Sequence, residues 1–193
     1  MPEVPRFGWR TLVVSTVLAL IAAAAVVVVL GGSDDGDSDK RSSVVTIPLV
    51  PDGEHVDPDE ATFTEFDGEV VPLSSLRGTP VVVNFFASSC IPCITEMPAF
   101  EAVHQDVGDQ VTFLGLAVAD RKDEAQDLVE RTKVTYRTAQ DRDASVIEAL
   151  GGGTHLPSTV LIDADGNVVA RHLGQLDADE LRDLLAEELG ITP

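Results

Sequence analysis

The apolar positions change their period several times along the chain, and each change marks an element. Residues 11–30 run without a charge, mostly Val, Leu and Ala. At about 1.5 Å per residue, a helix of that length spans about 30 Å, the hydrocarbon thickness of a bilayer. A cleaved signal peptide is the competing reading, because Arg6 and Arg10 precede the run and Ala22–Ala25 lies inside it. The alanines are followed by Val26-Val27-Val28-Val29-Leu30 rather than by a polar boundary, which favours an uncleaved anchor. No cysteine follows the run closely enough for lipid modification. Residues 1–10 then read as a cytoplasmic tail. The long C-terminal portion is expected outside the cytoplasm, although Lys40 and Arg41 weaken the charge asymmetry.

After the span the pattern turns polar. Gly31-Gly32-Ser33-Asp34-Asp35-Gly36-Asp37-Ser38-Asp39 cannot bury apolar area, and residues 31–60 read as an acidic flexible linker. Pro48, Pro51 and Pro58 keep it out of any helix.

Residues 61–193 carry the globular pattern. Thr62–Phe66 and Val70-Val71 flank Asp67-Gly68, a hairpin signal. Leu73–Leu76 predicts one helical turn. Val81-Val82-Val83-Asn84-Phe85-Phe86-Ala87 scarcely alternates, so it predicts a strand covered on both faces. A helix is predicted from Ile91 to Val107, with Pro98 expected to kink it. A strand over Val111–Val118, a helix over Asp123–Thr132, a strand over Val134–Thr138 and a short helix over Ala144–Leu150 follow. Thr159–Asp163 and Asn167–Arg171 predict a hairpin around Ala164-Asp165-Gly166. Asp177 caps a last helix with Leu181, Leu184, Leu185 and Leu189 at core spacing. Strands alternating with helices and closing in an antiparallel hairpin indicate an α/β fold, a central mixed sheet flanked by helices.

Composition narrows the function classes. The net charge of −20, from 33 acidic and 13 basic residues, repels phosphate backbones and argues against nucleic-acid binding. Apolar residues make up 44 %, enough for a core without cross-links.

The only two cysteines stand in Cys90-Ile91-Pro92-Cys93, between a buried strand and a helix. A four-residue ring restrains the unfolded chain little, so a purely structural disulfide is a poor use of the pair. Two cysteines are half a zinc or iron–sulfur ligand set. At a helix N-terminus, unpaired N–H groups and the dipole favour a thiolate. The pair therefore reads as a thiol–disulfide exchange site. Cys90 is the attacking sulfur and Cys93, one turn in, the resolving one. Pro92 stiffens the turn without a donor, whereas Ile91 keeps its N–H available.

The segment Val81–Cys93 resembles the active-site strand and motif of the thioredoxin-like TlpA/ResA family. So do Leu73–Gly78 with Pro80, and Thr154-His155-Leu156-Pro157-Ser158-Thr159-Val160-Leu161-Ile162-Asp163 with Asp165-Gly166. The resemblance covers about residues 61–190 and implies a membrane-anchored oxidoreductase with a thioredoxin-like domain outside the cytoplasm. It implies no cofactor and a reductive role of the cytochrome c maturation type. Its partners are proteins with disulfides or thiols, an apocytochrome c among them, and a membrane thiol-relay donor.

By the same resemblance Pro157 is a cis-proline beside the cysteines, Leu156 supplies backbone contacts to the partner, and Ile91 and Pro92 face it. Glu96 stands where that family carries an acidic residue that modulates the thiols; the competing reading is a plain surface glutamate. Two departures stand out. Phe86 and Ser89 occupy places that usually hold tryptophan, so Cys90 is expected to be more exposed. Asn84 stands where cytosolic-type thioredoxins carry a buried aspartate, and an amide takes no proton, which leaves Glu96 or water for acid–base work.

Two alternatives stay open: a disulfide-forming oxidant, and a Cu(I) site built from Cys90, Cys93 and His155. A peroxidase is disfavoured, because Ala87 stands where the Thr-x-x-Cys pattern needs threonine. His104 and His172 are expected at the surface and His55 in the linker.

Overall fold

A computed structural model describes residues 60–193. The predicted tail (1–10), membrane span (11–30) and nearly all of the linker, His55 included, lie outside the described residues. Among the described residues no helix is long and apolar enough to cross a membrane.

The described residues begin with the expected hairpin, β1 (Thr62–Thr64) against β2 (Val70–Pro72). Its turn closes on a 2.9 Å bond from Gly68 N–H to the Glu65 carbonyl, and Gly68 takes the φ of +102° that a Cβ disfavours. Leu73–Leu76 forms a single 3-10 turn. Strand β3 (Val81–Phe86) is buried at every position because it lies inside the sheet. It runs parallel to β4 (Thr112–Val118) and antiparallel to β6 (Ser158–Ile162). With β5 (Arg137–Asp141) and β7 (Val168–Leu173), the seven-stranded mixed sheet has the order β2-β1-β5-β4-β3-β6-β7. This is the α/β architecture expected from the alternation of periods.

Side chains of β3 alternate between two cores. Val82 and Phe86 point toward helices α1 (Ile91–Val107), α2 (Lys122–Thr132) and α4 (Ala178–Leu189), where they join Met97, Phe100, Leu128, Leu181 and Leu184. Val81, Val83 and Phe85 point the other way. There they join Leu114, Leu116, Val160 and the residues around α3 (Ser145–Ala149). Helix α1 continues through Pro98 over its predicted range. Helix α4 starts on Asp177 in a reciprocal capping box with Glu180.

One strand is displaced from its predicted place. Val134 and Tyr136 have the side chains of strand formers, yet they lie buried just ahead of the strand, which covers Arg137–Asp141. Pairing with β4 decides this, since Leu114 sits opposite Arg137 and Val118 opposite Asp141. Local propensity yields to tertiary register. Asp141, buried at the end of β5, accepts from the N–H groups of Val146 (3.1 Å) and Ile147 (2.9 Å) and so caps α3. Ala144, the N-cap residue just before that helix, offers no side-chain cap.

Candidate active site

Three strand ends meet at one edge of the sheet: Phe85 lies opposite Ser158, and Ser158 opposite Leu173. In a sheet with parallel strands, the carboxyl ends of those strands are where sites are built. Cys90 follows β3 by four residues and forms the N-cap of α1. Its Sγ accepts from the backbone N–H of Cys93 at 3.3 Å, and it is bonded to the Cys93 sulfur, with Cα atoms 5.3 Å apart. Pro92 sits in the first turn, where a missing N–H costs no helical bond.

The two sulfurs differ in access. Cys93 is fully buried, whereas Cys90 is half-buried despite Ser89 before it. Ile91 is 75 % exposed and Pro92 is also exposed, so the outer rim of the pair is apolar and open. Leu156 packs, half-buried, against both cores. Pro157 is buried at the start of β6, its peptide bond with Leu156 is cis, and its carbonyl accepts from Gly174 N–H at 2.9 Å. The structure thus brings Cys90, Cys93, Leu156 and Pro157 to one edge, with Ile91 and Pro92 at its lip.

Glu96 is not a surface glutamate. It is 0 % exposed, one turn below Cys93 on the inner side of α1. Asn84 Nδ2 donates to its Oε1 at 2.8 Å, and Leu176 N–H, just before α4, donates to Oε2 at 3.2 Å. Burial outweighs these two donors and pushes its pKa up to about 7. A carboxyl group whose pKa is raised toward neutrality, one helical turn from Cys93, can take or give a proton once that sulfur is a thiol. Asn84, silent as an acid or base, is the residue that holds the acid.

Two further corrections concern histidines. His104 is half-buried rather than superficial, with its ring edge against Phe113 at 5.3 Å and Tyr136 at 5.8 Å between centroids. His172, on β7, is also half-buried, and burial holds its pKa below the ordinary value. His155 is exposed, and among the described residues no three His, Cys, Asp or Glu side chains gather into a metal-sized cluster. His155 therefore does not join the cysteines as the Cu(I) alternative requires.

One positioning contact escaped the sequence. Asp120, just past β4, accepts from both the backbone N–H and the hydroxyl of Ser88, the latter at 2.9 Å, and so ties down the loop that delivers Cys90. Its only sequence signal is an acidic residue directly behind an apolar strand.

Comparison with known proteins agrees with this geometry. The Redoxin family model matches residues 50–186. The thiol-disulfide oxidoreductase ResA of Bacillus thuringiensis (strain Al Hakam) is 30 % identical over 131 residues, 67 % of this chain and 73 % of that protein. The structure of MTB DsbF in mixed oxidized and reduced forms superposes with a TM-score of 0.62 at 29 % identity. It covers 67 % of this chain and 96 % of the other. A secreted Mycobacterium tuberculosis disulfide oxidoreductase, described as homologous to E. coli DsbE, gives 0.58 at 25 % identity, with 67 % and 97 % covered.

Proposed function

Because the chain belongs to the redoxin family and is a thiol–disulfide oxidoreductase of the ResA-like, thioredoxin-fold kind, we propose that it acts as a reductant of protein disulfides. The Cys90 thiolate attacks a partner disulfide. The partner's S–S bond breaks, a Cys90–partner bond forms, and the partner's second sulfur leaves as a thiolate that takes up a proton. Cys93 then passes its proton to Glu96 and attacks Cys90. This step releases the second partner thiolate, closes the Cys90–Cys93 bond and leaves both electrons on the partner.

The observation that carries this reading is the asymmetry of the pair: a half-buried sulfur capping a helix, bonded to a fully buried one with an acid one turn below it. Pro157 and Leu156 align the incoming chain, and Ile91 and Pro92 offer it an apolar rim. The TlpA/ResA resemblance supports a membrane-anchored protein, residues 11–30 spanning and the catalytic domain outside the cytoplasm. It also supports a substrate such as an apocytochrome c and electrons arriving from a membrane thiol relay.

Trapping tests the roles. Cys93→Ser is expected to accumulate mixed disulfides with partners and Cys90→Ser is not; the reverse pattern would exchange the two assignments. The reduction potential tests direction. Related pairs span about −270 to −120 mV, and a value near the oxidising end would make the protein a disulfide-forming oxidant.

A further inference from the structure

The acid below Cys93 is gripped from two sides by donors of different kinds. Leu176 N–H belongs to the backbone and can only donate. The Asn84 amide can do either: Nδ2 now donates to Glu96 Oε1, while Oδ1 is buried without a partner. Directly opposite Asn84 across β3 and β6 stands Thr159, whose hydroxyl is likewise buried without a partner. Opposed residues in an antiparallel pair hold their Cβ atoms about 4.5–5.5 Å apart. On the other flank Gly115 lies opposite Asn84, and a Cβ there would come within 3.1 Å of the Tyr136 ring. The amide thus sits in a slot between a bare glycine and a hydroxyl that donates and accepts equally well.

An ionised carboxylate offers only acceptors, which suits the arrangement as it stands. A protonated carboxyl must place one O–H, and a backbone N–H cannot receive it. Turned over about its last torsion, the Asn84 amide presents Oδ1 to that O–H and Nδ2 to the Thr159 hydroxyl. We propose that Asn84 is the positioning residue of Glu96, turning its amide over to hold the carboxyl through both of its protonation states.

The surroundings leave few competitors for this control. α4 contributes Leu181, Leu184 and Leu185 to the core, and α2 contributes Ala125 and Leu128. α1 contributes Cys93, Met97, Phe100, Val103 and Val107 beside Glu96 itself. The titratable groups in this layer are the Cys93 sulfur, the Tyr136 phenol and His172, which stands opposite Thr159 on β7 and whose pKa burial holds down. Burial first, and then the charges of Glu96 and Glu101, push the phenol upward, so it stays neutral across the working range. The proton affinity of Glu96 is set by burial, Asn84 and Leu176.

The inference rests on the acid–base role of Glu96 proposed above, and the test separates the two. The reduction potential of the full-length protein is measured against pH from 5 to 9 by equilibration with a thiol–disulfide buffer, for wild type, Glu96→Gln, Asn84→Ala and Asn84→Asp. Wild type is expected to show, besides the break set by the Cys90 thiol, a second break near neutrality that Glu96→Gln removes. Asn84→Ala deletes a charge-assisted donor to the ionised form and a weaker acceptor for the protonated one, so this second break moves up by about one pH unit. Asn84→Asp keeps the shape, sets a second carboxyl against the first, and also moves the break up. A break unmoved in both Asn84 variants but lost in Glu96→Gln overturns the positioning role and leaves Glu96 in place. A second break that survives Glu96→Gln overturns both.

Discussion

The two cores separated by β3 are built from the same strand and differ in what they hold. Toward α3, Val81, Val83 and Phe85 meet Leu114, Leu116, Val160 and Ile162. The buried polar residues on that side, Asp141 and Ser158, sit at strand ends. Toward α1 and α4, Asn84 and Thr159 stand side by side in the sheet with Glu96 above them, in the layer that also contains Cys93. A buried carboxyl costs stability unless it is satisfied or protonated, so this core carries polar atoms that packing alone does not call for. Both faces bury apolar side chains, and the one toward α1 and α4 also gives up stability to keep a titratable group one helical turn from Cys93.

Substitutions on the two faces should therefore separate stability from redox behaviour. Leu114→Ala, in the centre of the apolar core, is expected to cost about 2–5 kcal/mol. Denaturant titration checks this, and the reduction potential should stay at the wild-type value. A potential that moved with Leu114 would mean that the two faces are not independent.

Glu96→Gln should act in the opposite sense and only in part of the pH range. The folded pKa is about 7 against an ordinary 4.5. Between these values the folded chain keeps a proton that the unfolded chain has released. The stabilisation is thus fully present below about 4.5 and is lost as pH rises through 7. Wild type should lose up to about 3 kcal/mol across this window that Glu96→Gln retains. Parallel stability curves for the two proteins would show that Glu96 does not titrate there.

At the strand end of the apolar side, Asp141→Ala strips the cap from α3 and leaves two N–H groups without their acceptor. A loss of about 1–2 kcal/mol is expected, read from the thermal midpoint, with exchange kinetics unchanged. Smallest of all is Arg137→Ala at the far edge. Arg137 pairs with Glu65 and lies 4.9 Å over the Phe63 ring. This partly exposed contact should be worth about 1 kcal/mol or less and should weaken with salt; a larger loss would make the β1–β5 edge part of the stabilising core.

Much of this was legible from residue order. The unbroken apolar run Val81–Phe86, the Cys-x-x-Cys pair behind it and the start of a helix at Ile91 require only local rules, because period, capping and proline placement are properties of neighbours in the chain. These features, with the Leu156-Pro157 segment, determined the fold class and the reacting sulfurs. Tertiary structure decided the rest. The strand at Arg137–Asp141, rather than three residues earlier, follows from its pairing with β4. The burial of Glu96 follows from α4 and its leading loop closing over α1, which bring Leu176 N–H to a carboxylate 80 positions away. The tie from Asp120 to Ser88 likewise joins two loops that are neighbours only because β3 and β4 lie side by side. A glutamate's charge state depends on which groups surround it, and those groups come from distant parts of the chain. The sequence could name the acid, but only the fold buries it and sets its proton affinity.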